Sequence, residues 1–157
     1  MSYIEKTLSD GEKIISSSTF HWWYTTRIFV FSIFFILIGV IALNSSSFEQ
    51  DSLSVFFGSV FIVFTPVVGL LYYIVALILK KTTEQVLTTK RIFLKTGLIR
   101  RDTDELLKEK VETISINQSF IGRILDFGDV EFTGTGGIKI KFVFVKNPTL
   151  VKKTYEQ

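Results

Sequence analysis

Few residues in this sequence could carry out covalent chemistry. It contains no cysteine, which excludes thiol nucleophiles, disulfides and cysteine-bound zinc. His21 is the single histidine, and no carboxylate stands near it at a spacing typical of a metal site or a catalytic triad. The glycine-rich "GTGG" at 134–137 lacks the Lys-Ser/Thr ending of a phosphate-binding loop and predicts a hairpin turn. We therefore expect no catalytic residue, no metal site and no cofactor, and predict that the protein is not an enzyme.

Basic residues are the more promising functional group. Residues 82–157 hold thirteen Lys or Arg against ten Asp or Glu, a net charge of +3. Near an anionic membrane, each basic side chain gains about 1 kcal/mol within a Debye length. The candidates for contact with anionic lipid headgroups are Lys80, Lys81, Lys90, Arg91, Lys95, Arg100 and Arg101.

Two alternatives compete with a lipid-binding role for these basic residues. Charged outward positions on strands are often simply a solvated face that also protects a sheet edge from aggregation. Asp102, Asp104 and Glu105 also dilute the positive charge. The interleaved acids leave no continuous basic stripe, so we expect no nucleic-acid partner.

Two long apolar segments are the elements expected to hold the basic residues near a membrane. Mean hydropathy is +0.38, and sixteen phenylalanines are present. Sixteen uncharged residues run from Ile28 to Leu43 and twenty-seven from Leu53 to Leu79, whereas roughly 20 span a bilayer as a helix. The first segment reaches spanning length when it is extended back through an interfacial aromatic belt, so we predict transmembrane helices at 22–43 and 53–79. The predicted membrane-interface residues are His21, Trp22, Trp23, Tyr24 and Arg27.

Other interpretations of the first apolar segment are weaker. It could be a buried core helix, but the aromatic belt and the second segment favour a membrane hairpin. A cleaved signal peptide is less favoured, because the segment begins late and no small-residue cleavage motif follows Leu43.

Charge asymmetry predicts the topology of the hairpin. The connecting loop "NSSSFEQDS", residues 44–52, contains two acidic residues and no Lys or Arg. Lys80 and Lys81 follow the second segment directly. Because basic residues stay on the cytoplasmic side, both termini are predicted in the cytoplasm and the loop outside.

Residues 80–157 are predicted to form a small domain rich in β-strands. Period-two alternation predicts six strands, within the segments "EQVLTT", "RIFLKT", "LIRRDTDELL", "VETISINQS", "DVEFTGT" and "IKIKFVFV". Gly97 and the Gly136-Gly137 pair are predicted turns. In the last strand, alternation places Ile138, Ile140, Phe142 and Phe144 on one face.

The flanking segments are predicted to join this domain. Asn147 and Pro148 are typical of a helix start and predict a short C-terminal helix that packs on the sheet. Residues 1–21 are a predicted cytoplasmic N-terminal segment. Within them, 12–20 have a composition that suits a strand added to the sheet, although imperfect alternation leaves a flexible tail as the alternative.

Several motifs together resemble a known family. They are a membrane hairpin, Thr88 with Arg91, the turn at Gly97, the stretch "VETISINQSFIGRILDFGDVEF", and Asn147-Pro148. This combination resembles the bacterial pleckstrin-homology (PH)-like domain in its membrane-anchored, YdbS-like form, over roughly the whole chain. The resemblance implies an α+β membrane protein: a two-helix transmembrane hairpin and a small PH-like β-barrel or sandwich closed by the short C-terminal helix.

The resemblance also implies a function without catalysis. We expect an integral protein of the bacterial inner membrane that mediates protein interaction or self-assembly at the cytoplasmic face, with a protein partner or a homo-oligomer. The alternative is an accessory subunit of a lipid or envelope transport or stress-response system, with anionic-lipid contact through the basic hairpin. In eukaryotic domains of this fold, basic residues near the first strand pair bind inositol phosphates, an analogy of fold only.

Overall fold

The computed structural model describes residue 4 and residues 7–44, 52–98 and 100–156. The chain forms two compact units. Unit 1 comprises Met1–His21 together with Leu79–Gln157, and unit 2 comprises Trp22–Ile78. The two ends of the sequence therefore fold into one body, and the apolar segment between them forms the other.

Unit 2 is built from two long helices. Helix α1 is Trp23–Asn44 and helix α2 is Ser52–Thr82, the last residues of which belong to unit 1. These bounds lie close to the predicted spans 22–43 and 53–79, and both helices are long and apolar enough to cross a membrane. Most of the predicted loop 44–52 lies outside the described residues.

Glycines allow the two helices to approach each other closely. A Cβ atom on Gly58 would lie 2.7 Å from Leu43 Cδ2, and one on Gly69 would lie 2.6 Å from Ser32 Oγ. Small residues at such crossings let the two helix backbones approach and pack by van der Waals contact. Gly58 and Gly69 are therefore packing positions in α2.

Among its described residues, unit 1 contains seven strands in two antiparallel sheets. The first sheet has the order β1-β2-β3-β4, and the second has the order β5-β6-β7. The strands are β1 Ile14–Ser18, β2 Glu84–Thr88, β3 Arg91–Thr96, β4 Asp102–Leu107, β5 Val111–Asn117, β6 Phe127–Gly134 and β7 Lys139–Lys146. All six strands expected after residue 80 are present. Strand β4 begins at Asp102, however, four residues after Leu98, where its predicted segment begins.

The N-terminal segment contributes the edge strand of the first sheet. In β1, Ser17 pairs with Val86 and Ser18 with Gln85 of β2. Phe20 then forms an isolated bridge with Val145 of the second sheet. In sequence, α1 and α2 are thus an insertion between two adjacent strands of unit 1.

Two short α-helices also lie in the described part of unit 1. They are α3, Phe120–Ile124, between β5 and β6, and α4, Pro148–Glu156, after β7. The ring of Tyr155 in α4 lies 5.8 Å from that of Phe132, and its hydroxyl donates to the carbonyl oxygen of Lys108 at 2.8 Å. The predicted C-terminal helix therefore packs on the β-structure.

The core of unit 1 lies under the strands and α4. Its buried residues are Leu87, Ile92, Leu106, Val130, Phe132, Ile140, Phe142, Val145 and Val151. A second small cluster is formed by Ile4, Val86 and Phe93. The N-terminal segment therefore adds an apolar side chain, as well as a strand, to the β2–β3 hairpin.

Two departures from strict alternation change which side chains face the core. An irregularity between Val111 and Thr113 lets Val111 join Ile114 against the core, although simple alternation puts them on opposite faces. Ile140 and Phe142 of β7 are buried, whereas Ile138, the residue before β7, is 56% exposed. Phe144 has φ of 50° and is half-buried, and Val145 takes the next core position. The predicted single face of β7 was therefore wrong at both ends.

Candidate functional site

A buried ion pair joins the N-terminal segment to the β2–β3 hairpin. The Glu12 side chain is fully buried, and its Oε2 lies 2.7 Å from Arg91 Nη2. Thr88 Oγ1 donates to Glu12 Oε1 at 2.6 Å, and the Ser9 amide donates to Oε2 at 3.1 Å. We call Ser9, Glu12, Thr88 and Arg91 the clasp, because they connect segments nearly eighty residues apart in sequence.

Hydrogen bonding decides the charge state of the clasp. Burial by itself raises the pKa of Glu12, but hydrogen bonds from Arg91, Thr88 and Ser9 outweigh it and lower the pKa to about 2. The pKa of Arg91 is raised in turn, chiefly by its hydrogen bond to Glu12. Arg91 Nη1 also lies 2.9 Å from a Glu105 oxygen. The clasp is therefore a charged network at neutral pH.

Lys90 and Arg91 lie together at the β2–β3 turn. Arg91, a predicted lipid contact, has a side chain 20% exposed and engaged by two carboxylates. Lys90 is exposed, and its Nζ lies 3.4 Å from the Asp10 carbonyl oxygen. This turn is at the opposite end of β2 from Glu84, where the chain arrives from α2. We call it the distal end of the first sheet.

The remaining predicted lipid contacts lie toward the other end of the first sheet. Lys95 pairs with Glu84 at 2.8 Å and its side chain is 11% exposed, whereas Arg100 is 88% exposed and pairs with Asp102 at 3.1 Å. Arg101 and Lys81 are exposed, and Lys80 is half-buried. At about 3.3 Å per residue, the five steps of β3 separate the two ends by about 17 Å. The seven candidates therefore form two groups, not one patch.

His21 packs inside unit 1. Its ring stacks on Phe127 with centroids 5.1 Å apart, and its amide donates to the Phe144 carbonyl oxygen at 2.7 Å. Burial lowers the pKa of His21, the charges of Lys146 and Lys80 lower it further, and Asp126 opposes them. His21, one of the predicted membrane-interface residues, thus contacts a phenylalanine of the β-structure.

The other four predicted interface residues belong to the start of unit 2. The Trp22 and Trp23 rings meet edge to face at 5.8 Å, and the Arg27 guanidinium lies 5.3 Å from the centroid of the Tyr24 ring. Trp22 is 52% exposed. Aromatic and basic side chains grouped at a helix start are typical of a membrane–water interface.

Unit 2 has a groove between α1 and α2. It has a volume of about 590 Å³ and a mostly apolar lining. Arg27 and Tyr72 line it, with Ser32 and Thr65 as the other polar side chains. In the described part of the chain, no three His, Cys, Asp or Glu side chains are grouped as metal ligands would be. The groove therefore has one cationic side chain, Arg27, in an apolar lining, and its residues form no constellation typical of catalysis.

Helix α3 was missed by sequence reasoning. Its five residues are too few for a helical periodicity to stand out. The available signal was Ser119, whose hydroxyl accepts from the Gly122 amide as a helix N-cap. The helix exposes large apolar side chains: Phe120 is 80% exposed, Ile124 67% and Ile121 46%.

Comparison with known proteins identifies one match. The family described as Bacterial PH domain matches residues 14–157. The match includes β1, both long helices and all of the remaining strands. No curated protein matches the chain, and no solved structure matches it.

Proposed function

Because this chain belongs to the bacterial PH domain family, we propose that it is a membrane-anchored, YdbS-like member. On this proposal it is a non-enzymatic module that holds a protein partner, or copies of itself, at the cytoplasmic face of the bacterial inner membrane. One observation carries the proposal: α1 and α2 are inserted between β1 and β2. A domain with a membrane hairpin inserted in this way is tethered to the membrane through two adjacent strands of one sheet.

The surface of unit 2 supports membrane anchoring. Large apolar side chains along both helices are exposed, among them Phe31 at 62%, Ile41 at 67% and Phe64 at 62%. A core helix of a soluble protein would bury such side chains, and a contiguous exposed apolar surface of this extent is costly in water. Lipid is the environment that removes that cost.

Charge supports the proposed orientation. Lys80 and Lys81 lie in the last turn of α2, and Arg27 lies in the first turns of α1. Glu49 and Asp51 are the charges of the connecting segment. The positive-inside rule then predicts that both termini, and hence unit 1, lie in the cytoplasm.

A pair of reporter fusions tests the orientation. An enzyme active only outside the cytoplasm should be active when fused near Ser46 and silent when fused after Gln157. As a matched control, a reporter active only in the cytoplasm should give the opposite pattern at the same two positions. An active export-dependent reporter at the C-terminus would contradict the proposed orientation.

Purification in a mild detergent tests the proposed interaction. The native mass of the recovered complex should correspond either to several copies of this chain or to this chain with a second protein in fixed ratio. A monodisperse monomer, recovered from membranes of cells that express the chain at its natural level, would contradict both forms of the proposal.

The second candidate function is that of an accessory subunit of a lipid or envelope transport or stress-response system, with anionic-lipid contact through the basic hairpin. The observation that favours it is the exposure of Arg100, Arg101 and Lys81 at one end of the first sheet, the end where the chain arrives from α2. Lys90 and Arg91 lie at the other end of β3, about 17 Å along the strand, a separation of about two Debye lengths from this exposed group.

Lipid nanodiscs that hold the full chain test this second function. A fluorophore at Leu98→Cys should respond when anionic lipid replaces zwitterionic lipid, and the response should disappear by roughly 0.5 M salt. Arg100→Gln with Arg101→Gln should remove the response, and the matched control Lys90→Gln should not. A response that survives high salt, or that needs one particular headgroup, would contradict simple electrostatic contact.

A further inference from the structure

Helix α3 presents its apolar side chains in a fixed orientation. Ser119 caps the helix, and Gln118 Nε2 donates to the Phe127 carbonyl oxygen at 3.1 Å. Gly122 faces inward, where an added Cβ would lie 2.6 Å from the Phe127 carbonyl oxygen. Because Gly122, the one glycine of α3, faces inward, Phe120 and Ile124 on the opposite face of the helix point outward.

This helix lies where the chain leaves unit 1 for the long helices. The ring of Phe127 is 3.6 Å from a Cβ built on Gly122, and the same ring stacks on His21, the last residue of the N-terminal part of unit 1. Ser18, three residues before His21, pairs with Gln85 of β2, so the returning chain enters unit 1 on the strand beside the departing one. The departing passage therefore contacts Phe127 at the base of α3, and the returning passage lies on the neighbouring strand.

Exposed charged side chains flank this apolar group. Arg123 lies on α3 itself, and Lys146 of β7 pairs with Phe127, while Asp126, two residues after α3, is the acidic neighbour. A few large apolar side chains with basic neighbours are typical of an element that lies in the headgroup region of an anionic membrane. A protein groove would accept the apolar residues, but it would not explain why they lie beside the point where the chain leaves unit 1 for the long helices.

We infer that α3 is a lipid-inserting element, with Phe120, Ile121 and Ile124 in the headgroup region of the bilayer that holds α1 and α2. This inference rests on the proposed membrane anchoring and adds to it a second, peripheral contact. That contact fixes the orientation of unit 1 against the membrane. It differs from the basic hairpin in being chiefly apolar, so it should persist at high salt.

The absence of cysteine allows a direct test in the full chain. Ile124→Cys and Phe120→Cys, each labelled with a fluorophore, report on α3 in nanodiscs that contain lipids with a nitroxide quencher near the headgroup. Ile138→Cys is the matched control, because Ile138 is 56% exposed and lies beyond Gly134. Phe127 and Gly134 are the two ends of β6, so about 23 Å of strand separates the control from the base of α3.

The expected result is position-specific. The two α3 probes should lose most of their emission to the lipid quencher in low and high salt, with a depth of roughly 5–10 Å below the surface. The Ile138 probe should keep its emission and remain open to aqueous iodide. Equal quenching at Ile124 and Ile138 would overturn the inference.

A fourth probe separates this inference from the proposed anchoring. Phe64→Cys in α2 should be quenched by nitroxides on the acyl chains if α2 spans the bilayer. Quenching at Phe64 without quenching at Ile124 overturns the role of α3 and leaves the anchoring intact. Protection of the α3 probes from iodide without lipid quenching also overturns it, and assigns that face to a protein. No quenching at Phe64 refutes the anchoring and the inference together.

Discussion

Removing the charge of Glu12 should loosen the N-terminal strand from unit 1. In Glu12→Gln the fully buried carboxylate that binds Arg91 and Thr88 becomes a neutral amide. The difference between the usual pKa of 4.5 and the value of about 2 corresponds to about 3 kcal/mol of stabilisation at neutral pH. Because Arg91 keeps its contact with Glu105, we expect a loss of about 2–3 kcal/mol.

The sign of the pH dependence follows from the direction of the pKa shift. A carboxyl group whose pKa is lowered by folding stabilises the folded state above its unfolded pKa. The contribution of Glu12 should therefore be complete above pH 4.5 and should be lost as the pH falls toward about 2. The Glu12→Gln variant should lack this part of the pH dependence.

Hydrogen exchange followed by mass spectrometry measures the effect in the full chain. In detergent, at neutral pH, amides of β1 and β2 should exchange about 30- to 150-fold faster in Glu12→Gln, the factor that corresponds to 2–3 kcal/mol. The matched control is Glu131→Gln, which removes a surface ion pair with Lys139 of similar length, 2.8 Å. A largely exposed pair of this kind contributes less than about 1 kcal/mol.

Two results would refute the reasoning on Glu12. One is equal exchange of β1 amides in the Glu12 and Glu131 variants. The other concerns acid. It is a loss of amide protection with falling pH, corrected for intrinsic exchange rates, that is no steeper in the wild type than in Glu12→Gln. Either would mean that the clasp stabilises unit 1 no more than a surface ion pair does.

Three further substitutions test other parts of unit 1. Gly97→Ala should cost about 1–3 kcal/mol, since Gly97 has φ of 96° and an added Cβ would clash with the Arg100 carbonyl oxygen. A lowered Tm in detergent would show this loss. Folding lowers the pKa of His21, so its neutral form contributes stability that is present above pH 6.5 and declines below it. The fall in Tm from pH 7 to pH 5 should be smaller in His21→Gln. Tyr155→Phe should cost about 0.5–1.5 kcal/mol through loss of the hydrogen bond to Lys108, and an unchanged Tm would contradict this.

Local patterns predicted the β-structure well because each strand carries its own signal. Alternation and glycine turns lie within a few residues of one another, so the six strands after residue 80 could be read without knowledge of the fold. The buried face of β7 could not be read in this way. The core position shifts from Phe144 to Val145, because Phe144 takes a left-handed conformation that its residue type does not favour.

The candidate sites were harder to predict because they depend on contacts between distant residues. Arg91 has the sequence environment of an exposed basic strand residue, and only the fold brings Glu12 to it across seventy-nine positions. Arg100 carries the same charge but adjoins the other end of the sheet. Residue type therefore identified the basic residues, whereas the connectivity of the strands decided which of them are engaged inside unit 1.

The insertion of α1 and α2 between β1 and β2 also fixes the order of events during synthesis. Sixty-six positions separate the end of β1 from the start of β2. At about 5–20 residues per second, β1 leaves the ribosome roughly 3–13 seconds before its partner exists. Three serines in "IISSS" make β1 a poor template for aggregation during this interval. Completion of the first sheet therefore reports that both long helices have already been made.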